Sequence, residues 1–156
     1  MNDTKRRFII ILSVFLVGFL HIGPPLAVHF FMSTIDMPFV LNHGVHRDEL
    51  SYASRAREIY DGHFPPSDLY FDEQLPNISN ISNPLPSLIF SGFIWLSSGN
   101  ITTAYLITLF IFSGMTFLFF YFLGRHIFSS FFWAMFFAYV GALTPIAFRI
   151  LNFDGA

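Results

Sequence analysis

Cysteine is absent from the chain, which excludes disulfides and thiolate metal sites and leaves the redox compartment unread. Charge is scarce as well: only 12% of the 156 residues are Asp, Glu, Lys or Arg. The formal net charge of -2 leaves no basic excess of the kind that holds a nucleic-acid backbone. What is missing in charge is replaced by hydrocarbon. Phe alone occurs 23 times and the mean hydropathy is +0.58, more apolar surface than a soluble globule of this length can hide. The solvent that fits is a bilayer, and the expected fold is an all-α polytopic membrane protein.

Three uncharged stretches have the roughly 20 residues that a helix needs to cross about 30 Å of hydrocarbon. The first is 8–27, opening on "FIIILSVFLVGFL", with Pro24-Pro25 expected to kink or end it near the far interface. The second is "ITTAYLITLFIFSGMTFLFFYFL" at 101–123, and the third lies within 127–148. The third carries Ala134, Ala138 and Ala142 at steps of four, a small-residue stripe that lets another helix approach closely. "LPSLIFSGFIWLSS" at 85–98 is too short to span comfortably, so an interfacial or re-entrant helix is expected there.

Lys5, Arg6 and Arg7 precede the first span and place the N-terminus in the cytoplasm. The loop at 28–100 then lies outside, and its acids outnumber its arginines. With 85–98 on the outer surface, the second span runs inward, "GRHIFSS" becomes a cytoplasmic turn, and Asp154 emerges on the same face as Asp48. Were 85–98 to span, Asp154 would fall on the opposite face. A cleaved signal peptide is the other reading of a basic start before an apolar run. "HIGPPLAVHFF" offers no small-x-small cleavage site, so an uncleaved anchor is expected.

The outer loop holds the charge that the rest of the chain lacks. In "HRDELSYASRAREIYDG" at 46–62, Leu50, Ala53, Arg57 and Tyr60 share a face at helical spacing, as do Tyr52, Ala56 and Ile59 beside it. Gly62 supplies the stop, so a surface helix over about 48–61 is predicted with Asp48 and Glu49 in its first turn. Acids there also complement the helix dipole, which is a purely structural reason for the pair. Asp72-Glu73 is a second acidic pair, in a Pro-rich stretch, and a rival for any catalytic role. His43, His46 and Asp48 offer nitrogen and oxygen ligands, leaving a divalent metal near Asp48 open, but their spacing matches no closed structural site. Asn77, Asn80 and Asn100 each open an N-x-S/T sequon on the outer side.

Taken in order, the features are a basic N-terminus, a span, Asp48-Glu49 opening a helix with Tyr52, Ala56-Arg57, Tyr60 and Gly62, then Asn83-Pro84 with Pro86, and a hairpin turning at Gly124-Arg125. This order resembles the N-terminal part of the GT-C superfamily of membrane glycosyltransferases. The nearest branch is that of the protein O-mannosyltransferases and the bacterial transferase that adds aminoarabinose to lipid A. The resemblance implies an inverting enzyme that moves a sugar from a polyprenyl-phosphate donor to a glycan, lipid or protein acceptor on the outer face. It assigns Asp48 as the base, Glu49 as an assisting acid, and Asp154 as a second acid after the next hairpin. Tyr52, Arg55 and Arg57 are the candidates for substrate contacts, the arginines because a guanidinium attracts phosphate. Arg57 also stands at the i, i+4 spacing that pairs it with Asp61. Family members carry many more spans, so 1–156 is expected to be the N-terminal module of a larger protein and inactive alone.

A second class of function fits the same composition: a non-catalytic multi-pass protein, an assembly or interaction subunit whose outer loop binds a partner. A transporter is disfavoured because intramembrane charges marking a substrate path are missing. Topology separates the first two, and the cysteine-free background makes the measurement clean. With Ser67→Cys, Ser129→Cys and Gly155→Cys made singly, an impermeant thiol reagent on intact cells is expected to label positions 67 and 155 and spare 129. Labelling at 129 with 155 protected would mean that 85–98 crosses, and would remove the two-acid site.

Overall fold

In an apolar segment every backbone N–H and C=O must find its partner within the chain, and the helix is the local solution. The computed structural model describes residues 2–34, 47–64 and 85–152. These form α1 (Asp3–Thr34), α2 (Arg47–Tyr60), α3 (Leu85–Leu96), α4 (Ile101–Ile127) and α5 (Phe131–Asn152), with no strand among the described residues. Among the described residues two helices are long and apolar enough to cross a membrane: α1 over Asp3–Ala27, 25 residues, and α4, 27 residues. At 1.5 Å per residue these measure about 38 and 40 Å. Hydroxyl groups in the apolar helices follow the same rule as the backbone. Ser13, Thr108, Ser113, Thr116 and Thr144 each donate to the carbonyl four residues back, at 2.6–2.8 Å.

Of the two outcomes expected at Pro24-Pro25, a kink or an end, the end is not found, since α1 continues through both prolines to Thr34. Each proline removes one backbone bond, to the carbonyls of Leu20 and His21, at a cost of about 3 kcal/mol in an aqueous helix. Ending the helix inside an apolar run would strand four carbonyls instead of two, which favours continuation.

The chain divides into two units, Met1–Val28 with Leu109–Ala156, and His29–Thr108. In the first unit α5 runs parallel to α1, and α4 antiparallel to both. The Arg6 guanidinium lies 5.9 Å from the Phe131 ring centre, and the Tyr139 hydroxyl donates to Ser13 Oγ at 2.7 Å, so α1 and α5 ascend together. Val14 faces Gly114 and Gly18 faces Phe110, so α4 descends. Lys5, Arg6, Arg7, Arg125 and His126 thereby share one end of this unit.

Small residues set the helix spacing. The expected stripe is present: Ala134, Ala138 and Ala142 are all buried, in a core with Val17, Phe117, Tyr121 and Met135. A Cβ on Gly124 would come within 3.1 Å of the Ala134 Cα, and one on Gly141 within 2.5 Å of the Phe120 ring. Aromatic rings fill the space so created, with Phe117 edge-on to Tyr139 at 5.1 Å and Phe120 edge-on to Phe137 at 5.7 Å.

In the second unit α2 packs against α3 and the first turn of α4 around Ala56, Ile94 and Ala104, with Tyr60, Phe90, Phe93 and Ile101 closing the cluster.

Two substitutions test the first unit. Gly141→Leu forces the Phe120 ring aside and is expected to destabilise the bundle by about 1–3 kcal/mol, the usual effect of overpacking. Tyr139→Phe removes one interhelical hydrogen bond and is expected to cost about 0.6 kcal/mol. Unfolding in mixed detergent micelles, followed by circular dichroism, reads both. A Gly141→Leu protein as stable as the parent would mean that α4 and α5 do not meet there.

Candidate functional site

The acids singled out by the sequence lie at the start of α2, and the position of α2 is fixed at its other end. Ala53 and Ala56 are buried on the face toward α3, while Arg57 and Tyr60 are half-buried at its edge. Alanines there bring the two helix backbones close. Gly62 ends α2 as expected, with φ at +93°. The His63 N–H donates to the Glu58 carbonyl at 2.9 Å and the Gly62 N–H to that of Ile59 at 3.1 Å, which satisfies the last carbonyls of the helix.

α3 stops by the same geometry with a serine in the left-handed position. Ser98 has φ +53° and Gly99 +86°. The Gly99 N–H donates to Ile94 at 2.9 Å and the Ser98 N–H to Trp95 at 3.1 Å. Asn100 then opens α4, its Oδ1 accepting the Thr103 N–H at 2.9 Å. The Ser97 hydroxyl lies 3.0 Å from the Ile94 carbonyl and 2.8 Å from that of Asn100, bracing the corner from within.

Arg57 fastens α2 to this corner. Its Nη1 donates to the Gly99 carbonyl at 3.1 Å and its Nε to Asp61 Oδ2 at 3.0 Å, while its guanidinium lies 5.0 Å from the Tyr60 ring centre. The expected Arg57–Asp61 pair is therefore present. A Cβ on Gly99 would sit 3.0 Å from the Tyr60 hydroxyl, so both the backbone angle and the space require glycine. The water-exposed ion pair by itself contributes little. The bond to Gly99 ties together residues 42 positions apart.

Asp48 and Glu49 fall in the first turn of α2, as predicted, and Tyr52 one turn later. The side chains of 47–52 lie outside the described residues, as do Asp154, His43, His46, Asp72 and Glu73 altogether. Arg55 is 9% exposed, a buried guanidinium in a helix with otherwise polar composition. Seven positions, about two turns or 10 Å, separate it from Asp48, so the two share a register on α2 that is not the register of Ala53 and Ala56. Among the described residues no group of three His, Asp or Glu is placed to hold a metal ion.

Sequence spacing finds the Arg57–Asp61 pair but has no means of finding Gly99. The signal nearest to it is local: Ser98-Gly99-Asn100 is a helix stop followed by an N-cap residue.

No protein-family model matches the chain, and no match is found among curated proteins or solved structures.

Arg57→Ala is expected to release α2 while leaving the first unit intact. Hydrogen exchange reads this directly: backbone amides of α2 should exchange faster in the variant, with those of α4 beyond residue 109 unchanged. Arg57→Lys keeps the charge but not the fork, and should resemble Arg57→Ala more than the parent. Parent-like exchange in both variants would mean that the corner does not hold α2.

Proposed function

We propose that this chain is the N-terminal membrane module of an inverting glycosyltransferase, taking a sugar from a polyprenyl-phosphate donor and delivering it on the outer or lumenal face. α1, α4 and α5 are the spans, with the N-terminus in the cytoplasm. The observation that carries the reading is the placement of α2. The helix opening on Asp48-Glu49 is fastened to the start of α4, an apolar helix of 27 residues whose far end bears Arg125 and His126. The positive-inside rule assigns that basic end, with Lys5, Arg6 and Arg7, to the cytoplasm. The start of α4 is then outside, and so is α2.

The antiparallel course of α1 and α4 adds a parity argument. Between them the chain crosses the bilayer an even number of times. α3, of 12 residues, is about 18 Å long and too short for one of a pair of crossings. This supports the reading in which the segment at 85–98 stays on the outer side and the end of α5, just before Asp154, returns there as well.

The chemistry asked of this region is a single displacement. A carboxylate takes the proton from the acceptor hydroxyl or amine, the acceptor atom attacks the anomeric carbon from the face opposite the donor bond, and the C–O electron pair leaves with the lipid phosphate. Asp48 serves as the base and Glu49 orients the acceptor or shares its proton. Arg55, in the register of Asp48, and Arg57 are the guanidiniums offered to the departing phosphate, and Arg57 also holds α2 in place through Asp61 and Gly99. Asp154 is the second outer acid.

Asp48→Asn in the full-length protein is the test. Transfer from a radiolabelled polyprenyl-phosphate sugar in membrane vesicles is expected to fall by about 10²–10⁴-fold, the usual worth of a general base, with insertion unchanged. Asp72→Asn is expected to retain activity. Unchanged transfer in Asp48→Asn, with loss in Asp72→Asn, would move the base to the second acidic pair. Unchanged transfer in both would leave the outer loop as a binding surface.

A further inference from the structure

α3 has no charged residue, yet among the described residues only one of its faces is buried. Ser87 and Ile94 are buried, and Ile94 sits in the cluster with Ala56 of α2 and Ala104 of α4. The exposed large side chains are Leu85, Leu88, Ile89, Trp95 and Leu96. At 100° per residue these five fall within an arc of about 120°, and Ser87 and Ile94 lie roughly opposite its centre. α3 is thus apolar on both sides. One side meets α2, the most polar of the described helices, and the other is left exposed among the described residues of the second unit.

We propose that this face is embedded in the acyl-chain region of the outer leaflet, with α3 lying along the membrane plane and α2 riding on its upper side. Four observations select lipid as the occupant. The face is uncharged over its whole length. It leads, through a corner of four residues, directly into α4, one of the two helices able to cross the bilayer, so it starts at the level where the leaflet begins. Trp95, 74% exposed and the most exposed large apolar side chain among the described residues, stands at the end of α3 next to that corner, where an indole finds the headgroup boundary. Polar α2 occupies the opposite side, which orients the pair as an interfacial helix requires, apolar side down and polar side up. α2 is then a roof at headgroup height. The inference rests on the membrane reading alone and does not depend on glycosyl transfer.

Nitroxide labels on single cysteines in the full chain, reconstituted into phosphatidylcholine vesicles, test it. Leu88→Cys reports the proposed lipid face, His63→Cys the end of α2, and Phe15→Cys the middle of α1 as a reference for lipid. Collision with oxygen, enriched in lipid, is compared with collision with a water-soluble nickel chelate. The ratio at position 88 is expected to approach that at 15 and to exceed that at 63 several-fold. A water-like ratio at 88 with a lipid-like ratio at 15 would overturn the proposal and leave the membrane reading standing. Water-like ratios at both would remove both. Protection from both reagents at 88 would mean that a second protein surface covers the face, and would also overturn it. Trp95 gives a check without a label on α3. In Trp133→Phe, where it is the sole tryptophan, its emission should be quenched by lipids spin-labelled near the headgroup and hardly by aqueous acrylamide.

Discussion

The corner formed by Ser97, Ser98, Gly99 and Asn100 is the constraint on which the second unit depends. It ends one helix, starts another, and presents the Gly99 carbonyl to Arg57. All three tasks need unusual backbone: two successive residues with positive φ, one of them a serine. A left-handed non-glycine residue persists only where its surroundings over-determine it. Here the surroundings are the two carbonyl bonds that close α3, the Ser97 hydroxyl, and the Asn100 cap. α2 meets this corner through Arg57, and Ala56 and Tyr60 pack in the cluster around Ile94.

The three-helix unit is held by a different logic. On the membrane reading, burying apolar surface gives no advantage between helices that hydrocarbon surrounds, so close fit and polar contacts decide. Gly18, Gly114, Gly124 and Gly141 each leave room that a neighbouring group fills. The Tyr139–Ser13 hydrogen bond, with Ser13 in turn bonded to the Ile9 carbonyl, is a polar link fixing the register of α1 against α5. Outward, α1 shows an unbroken row of Phe8, Ile11, Leu12, Phe15, Leu16, Phe19 and Leu20, the surface expected of a helix bathed in lipid.

Much of this architecture is legible in the sequence, because the signals are strong where the physics is local. Uncharged runs of spanning length place α1 and α4, and the 3.6-residue pattern with Gly62 places α2 to within a residue at each end. The Ala134, Ala138 and Ala142 stripe foretells a close helix contact but not its partner, which is Gly124 with the Phe117 core. Pro24-Pro25 is read as a kink or an end, and the sequence alone does not choose between them, because the rule that prolines end helices is calibrated where water can take up the freed carbonyls. The Arg57–Gly99 bond is illegible, since nothing local to either residue points to the other. The acids Asp48, Glu49 and Asp154 become candidates only through the order of features along the chain; position in the helix fixes where Asp48 and Glu49 begin, and chemistry alone says what they would do.

α4 belongs to both units, with its first turn in the cluster of Ala56 and Ile94 and its remainder in the bundle core. Its length of about 40 Å exceeds the roughly 30 Å of hydrocarbon in an average bilayer, so a helix of this length set across a membrane would take up the difference by leaning. Asn100 caps its first turn, and the Gly99 carbonyl beside it holds Arg57. On the membrane reading, the thickness of the bilayer is thus one of the quantities that set the angle at which this corner meets the surface.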